Sequence, residues 1–92
     1  MSGVATRPPR VTLYGRPECH LCDEARGELA ELQTEGLSFE LREIDIDSDD
    51  DLLRSHLERI PVVEVEGEVV SELAFDAKAV RTVLGAIGSL RA

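Results

Sequence analysis

Two cysteines spaced three residues apart are the side chains in this sequence best suited to chemistry. Cys19 and Cys22 enclose His20-Leu21, and the thiolate form of a cysteine is the nucleophile that attacks a disulfide. The pair follows a short β-prone segment and a Gly-Arg-Pro turn, at the predicted start of a helix. Unpaired backbone N–H groups at a helix N-terminus stabilise a thiolate. We therefore predict that Cys19 is the exposed nucleophile and that Cys22, one turn deeper, is the shielded resolving thiol.

Charged residues close to the pair are expected to tune this chemistry. Arg16 in the preceding loop and His20 beside the nucleophile add positive charge, whereas three neighbouring carboxylates oppose them. Because surface charges are screened by solvent, the short-range N–H contacts should dominate the stabilisation of the thiolate. His56 lies in a different predicted helix and receives no functional role.

Other interpretations of the two cysteines remain open. They could be small apolar side chains that pack in a core. A structural zinc site needs four ligands, and this chain offers Cys19, Cys22 and His20, with His56 elsewhere. An iron–sulfur cluster also lacks ligands within one chain, although two chains could each contribute a pair. The alternative to an enzyme is therefore a non-catalytic module that holds a metal or a partner through the C-x-x-C segment, and we expect no resident cofactor or metal.

The elements that must position the pair begin with a strand over Arg10–Tyr14, which Gly15 and the following turn interrupt. Apolar residues then recur at spacings of four, four and three on one helical face, ended by Gly36. This face consists of Leu21, Ala25, Leu29 and Leu32.

The middle of the chain predicts a strand over Phe39–Ile46, whose apolar phase changes along its length. That change indicates either a bulge or bend near Arg42-Glu43 or a strand that starts after Phe39. Ser48 and Asp51 have the spacing of a capping box and predict a helix of about ten residues that Pro61 ends. Its expected buried side is Leu52, Leu53, Leu57 and Ile60.

The last part of the chain predicts a hairpin and a helix. Two valine-rich segments flank Glu66-Gly67, which is typical of a tight β-hairpin turn. Asp76 can cap a final helix with the apolar set Val80, Val83, Leu84 and Ile87. The element order is therefore β-α-β-α-β-β-α, an α/β arrangement with a four-stranded mixed sheet flanked by helices.

Composition narrows the class of protein. With 92 residues, ten Lys and Arg and nineteen Asp and Glu, the chain has a net charge of 10 − 19 = −9 and a length that suits one domain. This charge argues against nucleic acid and anionic membranes as partners. No secretory signal or apolar span is present, so we expect a cytoplasmic protein. We also expect a monomer, with a flexible extension over residues 1–9 and one domain over residues 10–92.

A run of acidic residues occupies positions 43–51. Six of these nine residues are carboxylates, but the glycine and the glutamate that complete a calcium-binding loop are missing. We expect a solvated strand exit and helix N-terminus here, where negative charge is favourable. The alternative is a docking patch for a basic partner.

The motifs together resemble those of glutaredoxins, within the thioredoxin-like fold. The segment Tyr14–Cys22 is similar to the family's Tyr-Ser/Thr-Lys-x-x-Cys-Pro-Tyr-Cys, with Arg16 at the basic position. Ile44-Asp45-Ile46-Asp47 resembles the family's second strand and its acidic exit, and Ile60-Pro61-Val62 resembles the family's Thr-Val-Pro. The resemblance implies that Pro61 is cis and faces the cysteines, and that Arg16, His20, Ile60 and Pro61 bind the substrate.

Two departures from the family pattern bear on the substrate. His-Leu replaces the usual Pro-Tyr between the cysteines, and Ser71–Asp76 replaces the Gly-Gly-x-Asp segment with which glutaredoxins hold glutathione. Since glutathione is anionic, the charge of −9 also disfavours it. We expect a thiol–disulfide oxidoreductase that reduces disulfides of a protein or small-molecule partner. Its electrons would come from a separate reductase or a thiol pool, with little dependence on glutathione.

Overall fold

The fold follows the predicted order β-α-β-α-β-β-α. The computed structural model describes residues 7–91, with side chains described as far as residue 87. Residues 1–6 of the predicted N-terminal extension and Ala92 lie outside the described residues. The elements are β1 (Arg10–Gly15), α1 (His20–Thr34), β2 (Glu40–Asp45), α2 (Asp50–His56), β3 (Val62–Val65), β4 (Glu68–Glu72) and α3 (Ala77–Arg91).

The four strands form one mixed sheet in the order β2-β1-β3-β4. β1 and β2 are parallel, whereas the pairs β1–β3 and β3–β4 are antiparallel. Gly15 pairs with Asp45, Tyr14 pairs with Val62, and Val62 pairs with Glu72. One end of the sheet therefore collects the ends of β1, β2 and β4 and the start of β3.

One face of the sheet carries the hydrophobic core. Side chains that alternate along β1 and β3 meet buried positions of α1 and α3, because successive strand residues point to opposite faces. This cluster includes Val11, Leu13, Ala25, Leu29, Leu32, Val63, Val65, Val80 and Leu84. The prediction that Leu21 belongs to this layer is wrong, since it is 39% exposed and the buried stripe of α1 starts at Cys22.

The opposite face is more polar, and α2 contacts it at the Tyr14 end. The Tyr14 and His56 rings lie 4.6 Å apart, and the Tyr14 hydroxyl donates to a Glu64 carboxylate oxygen at 3.3 Å. α2 has seven residues rather than about ten, and none of its side chains is fully buried. Of the apolar side predicted for it, Leu52, Leu53 and Ile60 are half-buried and Leu57 is exposed.

The N-cap of α2 is Asp49, so the prediction of Ser48 is wrong. The Asp49 carboxylate accepts hydrogen bonds from the Asp51 and Leu52 amides at 2.8 and 3.2 Å. Ser48 instead ends a short 3-10 turn, Ile46–Ser48, and its hydroxyl donates to the Asp45 carbonyl at 2.6 Å. An aspartate one residue later caps equally well, and the intervening 3-10 turn shifts the helix start by that residue.

β2 starts at Glu40, as the alternative of a start after Phe39 predicts. Its register with β1 is continuous, so the alternative of a bulge near Arg42-Glu43 is wrong. A bulge occurs instead where β3 pairs with β4, between Val63 and Glu64. The predicted hairpin turn is confirmed: Glu66 and Gly67 have φ of 51° and 85°, the left-handed pair that such turns require.

The final helix begins where Asp76 caps it, as predicted. The Asp76 carboxylate accepts from the Ala79 amide at 3.0 Å, and Val80 and Leu84 are buried against the core. α3 continues through Gly85 to Arg91. Among the described residues, no helix combines the length and apolar character that a membrane crossing requires.

Candidate functional site

Cys19 and Cys22 form a disulfide at the N-terminus of α1. Cys19 is the N-cap, in extended conformation, and its sulfur accepts a hydrogen bond from the Cys22 amide at 3.2 Å. Cys22 is 1% exposed, whereas Cys19 is half-buried. Glu18, with a φ of 63°, turns the chain so that Cys19 occupies the cap position. The geometry therefore leaves Cys19 the more accessible sulfur, with a backbone donor already directed at it.

Gly15 lies directly against Cys22. The strand β1 continues through Gly15, one residue further than predicted. A Cβ atom at this position would lie 3.0 Å from the Cys22 sulfur and 3.1 Å from its Cβ. The sequence predicts only a strand breaker at Gly15, although a glycine at the end of a β-prone segment can also mark a close approach.

The segment Ile60–Val62 reaches the same end of the sheet. The Ile60–Pro61 peptide bond is cis, as the resemblance predicts, and Pro61 is buried. Val62 pairs with Tyr14, which places Pro61 and Gly15 at adjoining strand ends. The Leu73 amide donates to the Arg59 carbonyl at 3.0 Å and ties the chain before Pro61 to the exit of β4.

The two predicted cations near the nucleophile each face a carboxylate. Arg16 lies 3.4 Å from Asp47 in the 3-10 turn, and the His20 Nε2 atom lies 3.8 Å from Glu24. The His20 side chain is 84% exposed, so its interaction is screened by solvent. The positive charge of Arg16 is partly offset by Asp47. The contact observed at the Cys19 sulfur is instead the hydrogen bond that the Cys22 backbone N–H donates.

Arg26, in α1, links the first turn of this helix to β2. Arg26 donates to Asp23 at 2.7 Å and also pairs with Glu43. These ion pairs raise the pKa of Arg26 above its usual value, with the hydrogen bond to Glu43 the largest cause. With Gly15, Arg16 and Pro17, these residues line a cleft of about 280 Å³ beside the disulfide.

Of the residues considered for a metal site, His56 lies apart from the cysteine pair. His56 stacks on Tyr14, across the sheet from the helix that carries the cysteines. Within residues 7–91, no group of three or more His, Cys, Asp or Glu side chains is arranged to hold a metal ion. This geometry gives the cysteine pair no further protein ligand in the described part of the chain.

Comparison with protein families identifies the chain. The family model of the Glutaredoxin-like domain (DUF836) matches residues 10–85. The chain belongs to the glutaredoxin-like family. Among curated proteins, none matches it in sequence.

Solved structures also resemble this chain. The solution structure of protein Ne2328 from Nitrosomonas europaea is 30% identical, with a TM-score of 0.75 over 89% of this chain and 98% of that one. The X-ray structure of protein XcR50 from X. campestris is 36% identical, with a TM-score of 0.63 over 83% and 96%. Oxidised thioredoxin from Plasmodium falciparum, at 13% identity and a TM-score of 0.58 over 88% and 82%, shares the fold.

This glutaredoxin-like chain therefore combines a thioredoxin-like fold with a C-x-x-C pair at the start of its first helix. Family, fold and the Cys19–Cys22 pair support a thiol–disulfide redox role in general terms.

Proposed function

We propose that this glutaredoxin-like protein is a thiol–disulfide oxidoreductase in which Cys19 attacks a substrate disulfide and Cys22 resolves the intermediate. The observation that carries the proposal is the Cys19 sulfur at the N-cap of α1. It accepts the Cys22 amide hydrogen, while the second sulfur is buried one turn further on. A thiolate at this position has a preformed donor, and the resolving thiol is shielded from competing reactions.

The proposed reaction has two displacements. The Cys19 thiolate attacks one sulfur of the substrate disulfide, whose other sulfur leaves as a thiolate and takes a proton from solvent. Cys22 then loses its proton and attacks the Cys19 sulfur, which releases the second substrate thiol and leaves the Cys19–Cys22 disulfide. The substrate gains two electrons and the cysteine pair loses two. A separate dithiol reductase or a thiol pool, as expected in the cytoplasm, returns the pair to the reduced form.

A protein disulfide is the proposed substrate, in preference to glutathione. Large apolar side chains are exposed close to the site: Leu21 in the first turn of α1, and Leu73, 53% exposed, at the exit of β4. Leu73 lies in the segment that replaces the glutathione-binding glycines of glutaredoxins, between Glu72 and Asp76. An apolar surface with an acidic border favours a neutral or basic peptide segment over an anionic tripeptide.

Reduction of insulin disulfides by a thiol reductant tests the proposal. We expect turnover by the wild-type protein, loss of turnover to the uncatalysed rate in Cys19→Ser, and accumulation of a mixed disulfide in Cys22→Ser, because the first displacement still occurs. Thr82→Ala, on an exposed position of α3, is the control and should keep the wild-type rate. A glutathione mixed disulfide, assayed in parallel, should be the poorer substrate.

Alkylation and metal analysis complete the test. At pH 6, Cys19 of the reduced protein should react with iodoacetamide faster than free cysteine, and Cys22 should not. Equal rates for the two thiols would contradict their assigned roles. Stoichiometric metal in anaerobically purified protein, without turnover that depends on Cys19, would overturn the enzyme proposal in favour of a binding module.

A further inference from the structure

The described glycines of this chain differ in whether a side chain would be unfavourable, and for what reason. Gly36 and Gly67 have φ of 109° and 85°, a backbone conformation that side chains rarely adopt. Gly27 and Gly85 lie in helices, and a Cβ at either would meet open space. Gly15 has neither property: it is an extended strand residue, and the space that its Cβ would need is occupied by Cys22.

The surroundings of Gly15 determine what would have to move. Its backbone is fixed by pairing with Asp45 in β2. The helix that carries Cys22 is anchored to the same sheet by fully buried side chains, Ala25 and Leu29 among them. Packed cores yield little to added volume. The Cys22 side chain, with its sulfur 3.0 Å from the missing Cβ, is therefore the group that would be displaced.

We infer that Gly15 is a positioning residue for the resolving thiol. Its lack of a side chain lets the Cys22 sulfur lie deep against β1, within bonding reach of Cys19. This inference rests on the proposed function, in which Cys22 attacks a mixed disulfide on Cys19. The absence of a side chain at Gly15 would keep that attack fast. A displaced sulfur approaches the Cys19 sulfur less often along the line of attack, so resolution slows.

The resolving step can be measured without any physiological substrate. Reduced protein is loaded at Cys19 with a nitrothiobenzoate group, and release of the coloured thiolate reports the attack of Cys22 on the Cys19 sulfur. That attack forms the Cys19–Cys22 disulfide, and the nitrothiobenzoate leaves with the electron pair of the broken bond. We expect Gly15→Ala to slow release about tenfold, the order of effect that a small displacement of a reacting group produces.

Gly27→Ala is the matched control. It makes the same substitution in the helix that carries Cys22, at a position where the new methyl group contacts nothing. Its release rate should equal that of the wild type. A Gly15→Ala rate equal to or faster than the Gly27→Ala rate would overturn the inference. Insulin turnover that survives Cys19→Ser would instead overturn the proposed function, so the two failures are distinguishable.

A thermodynamic cycle covers the case in which Gly15→Ala folds poorly. Gly15→Ala is combined with Cys22→Ala, which removes the sulfur but keeps the Cβ, and the unfolding midpoint of each reduced variant is measured. We expect Gly15→Ala to lower the midpoint by less in the Cys22→Ala background than in the wild type, because the closest contact is gone. An equal loss in both backgrounds would show that Gly15 does not act through the Cys22 sulfur.

Discussion

The two faces of the sheet are stabilised in different ways. Against one face, α1 and α3 bury an aliphatic layer, and Cys22 continues the buried stripe of α1. Against the other, the short helix α2 buries no side chain fully and meets the sheet through the contact of His56 with Tyr14. The proposed resolving thiol, Cys22, therefore lies on the densely packed side, where a displaced atom has little room. The segment before Pro61 lies on the α2 side, and a hydrogen bond from the Leu73 amide to the Arg59 carbonyl holds it there.

The largest expected difference between the faces is in the cost of removing a leucine. Leu29→Ala in α1 should lower the free energy of unfolding by about 3 kcal/mol, because a fully buried side chain is replaced by a cavity. Leu53→Ala in α2 makes the same change at a half-buried position and should cost about 1 kcal/mol. Urea unfolding of both variants measures the difference. Equal losses would mean that α2 contributes to the core as α1 does.

A smaller effect tests whether α2 depends on its cap. Asp49→Ala should lower the free energy of unfolding by about 1 kcal/mol relative to Asp49→Asn, which removes the same charge but keeps an oxygen for the Asp51 and Leu52 amides. Ser48→Ala, at the position where the sequence predicts the cap, should stay within about 0.5 kcal/mol of the wild type. If Ser48→Ala is the more destabilising change, the helix start is misassigned.

The smallest effect concerns the polar cluster beneath α2. Burial, and then the charge of Glu64 and its hydrogen bond, raise the pKa of Tyr14 above its usual value of 10.0. The folded state thus keeps the phenolic proton at a pH where the unfolded chain releases it. The contribution of Tyr14 to stability is complete below about pH 10 and is lost as the pH rises from there through the folded pKa.

This pKa can be read directly, because the chain has one tyrosine and no tryptophan. Tyrosinate absorbance during an alkaline titration should give a higher midpoint in the folded protein than in the protein unfolded by denaturant. Glu64→Gln should lower the folded midpoint toward the usual value. Identical midpoints in the folded and unfolded states would contradict the packing of Tyr14 described above.

The sequence predicted those features that local rules determine. Spacing gave the element order, turn chemistry gave the hairpin at Glu66-Gly67, and the capping preference of aspartate gave the start of α3 at Asp76. The Gly-Arg-Pro turn and the helical periodicity that follows it placed the cysteine pair at the N-terminus of α1.

The remaining features depend on what the folded chain brings together. Leu21 has the spacing of a core residue, but Cys22 takes the buried position, because the rotation of α1 on the sheet decides which side chain points inward. The contact of Gly15 with Cys22 joins a strand to a helix, and no periodicity encodes it. Arg16 has the charge to act on Cys19, but its ion pair with Asp47 depends on the 3-10 turn that follows β2.

The bulge between β3 and β4 has a consequence for encounters between copies of this chain. β4 is an edge strand, and an edge with regularly spaced N–H and C=O groups is a template for a strand from another molecule. The extra residue opposite Val63 and Glu64 breaks that spacing near the middle of the strand, and Glu68 and Glu72 add negative charge at its two ends. An approaching copy would meet a mismatched ladder and like charges, which works against aggregation through this edge.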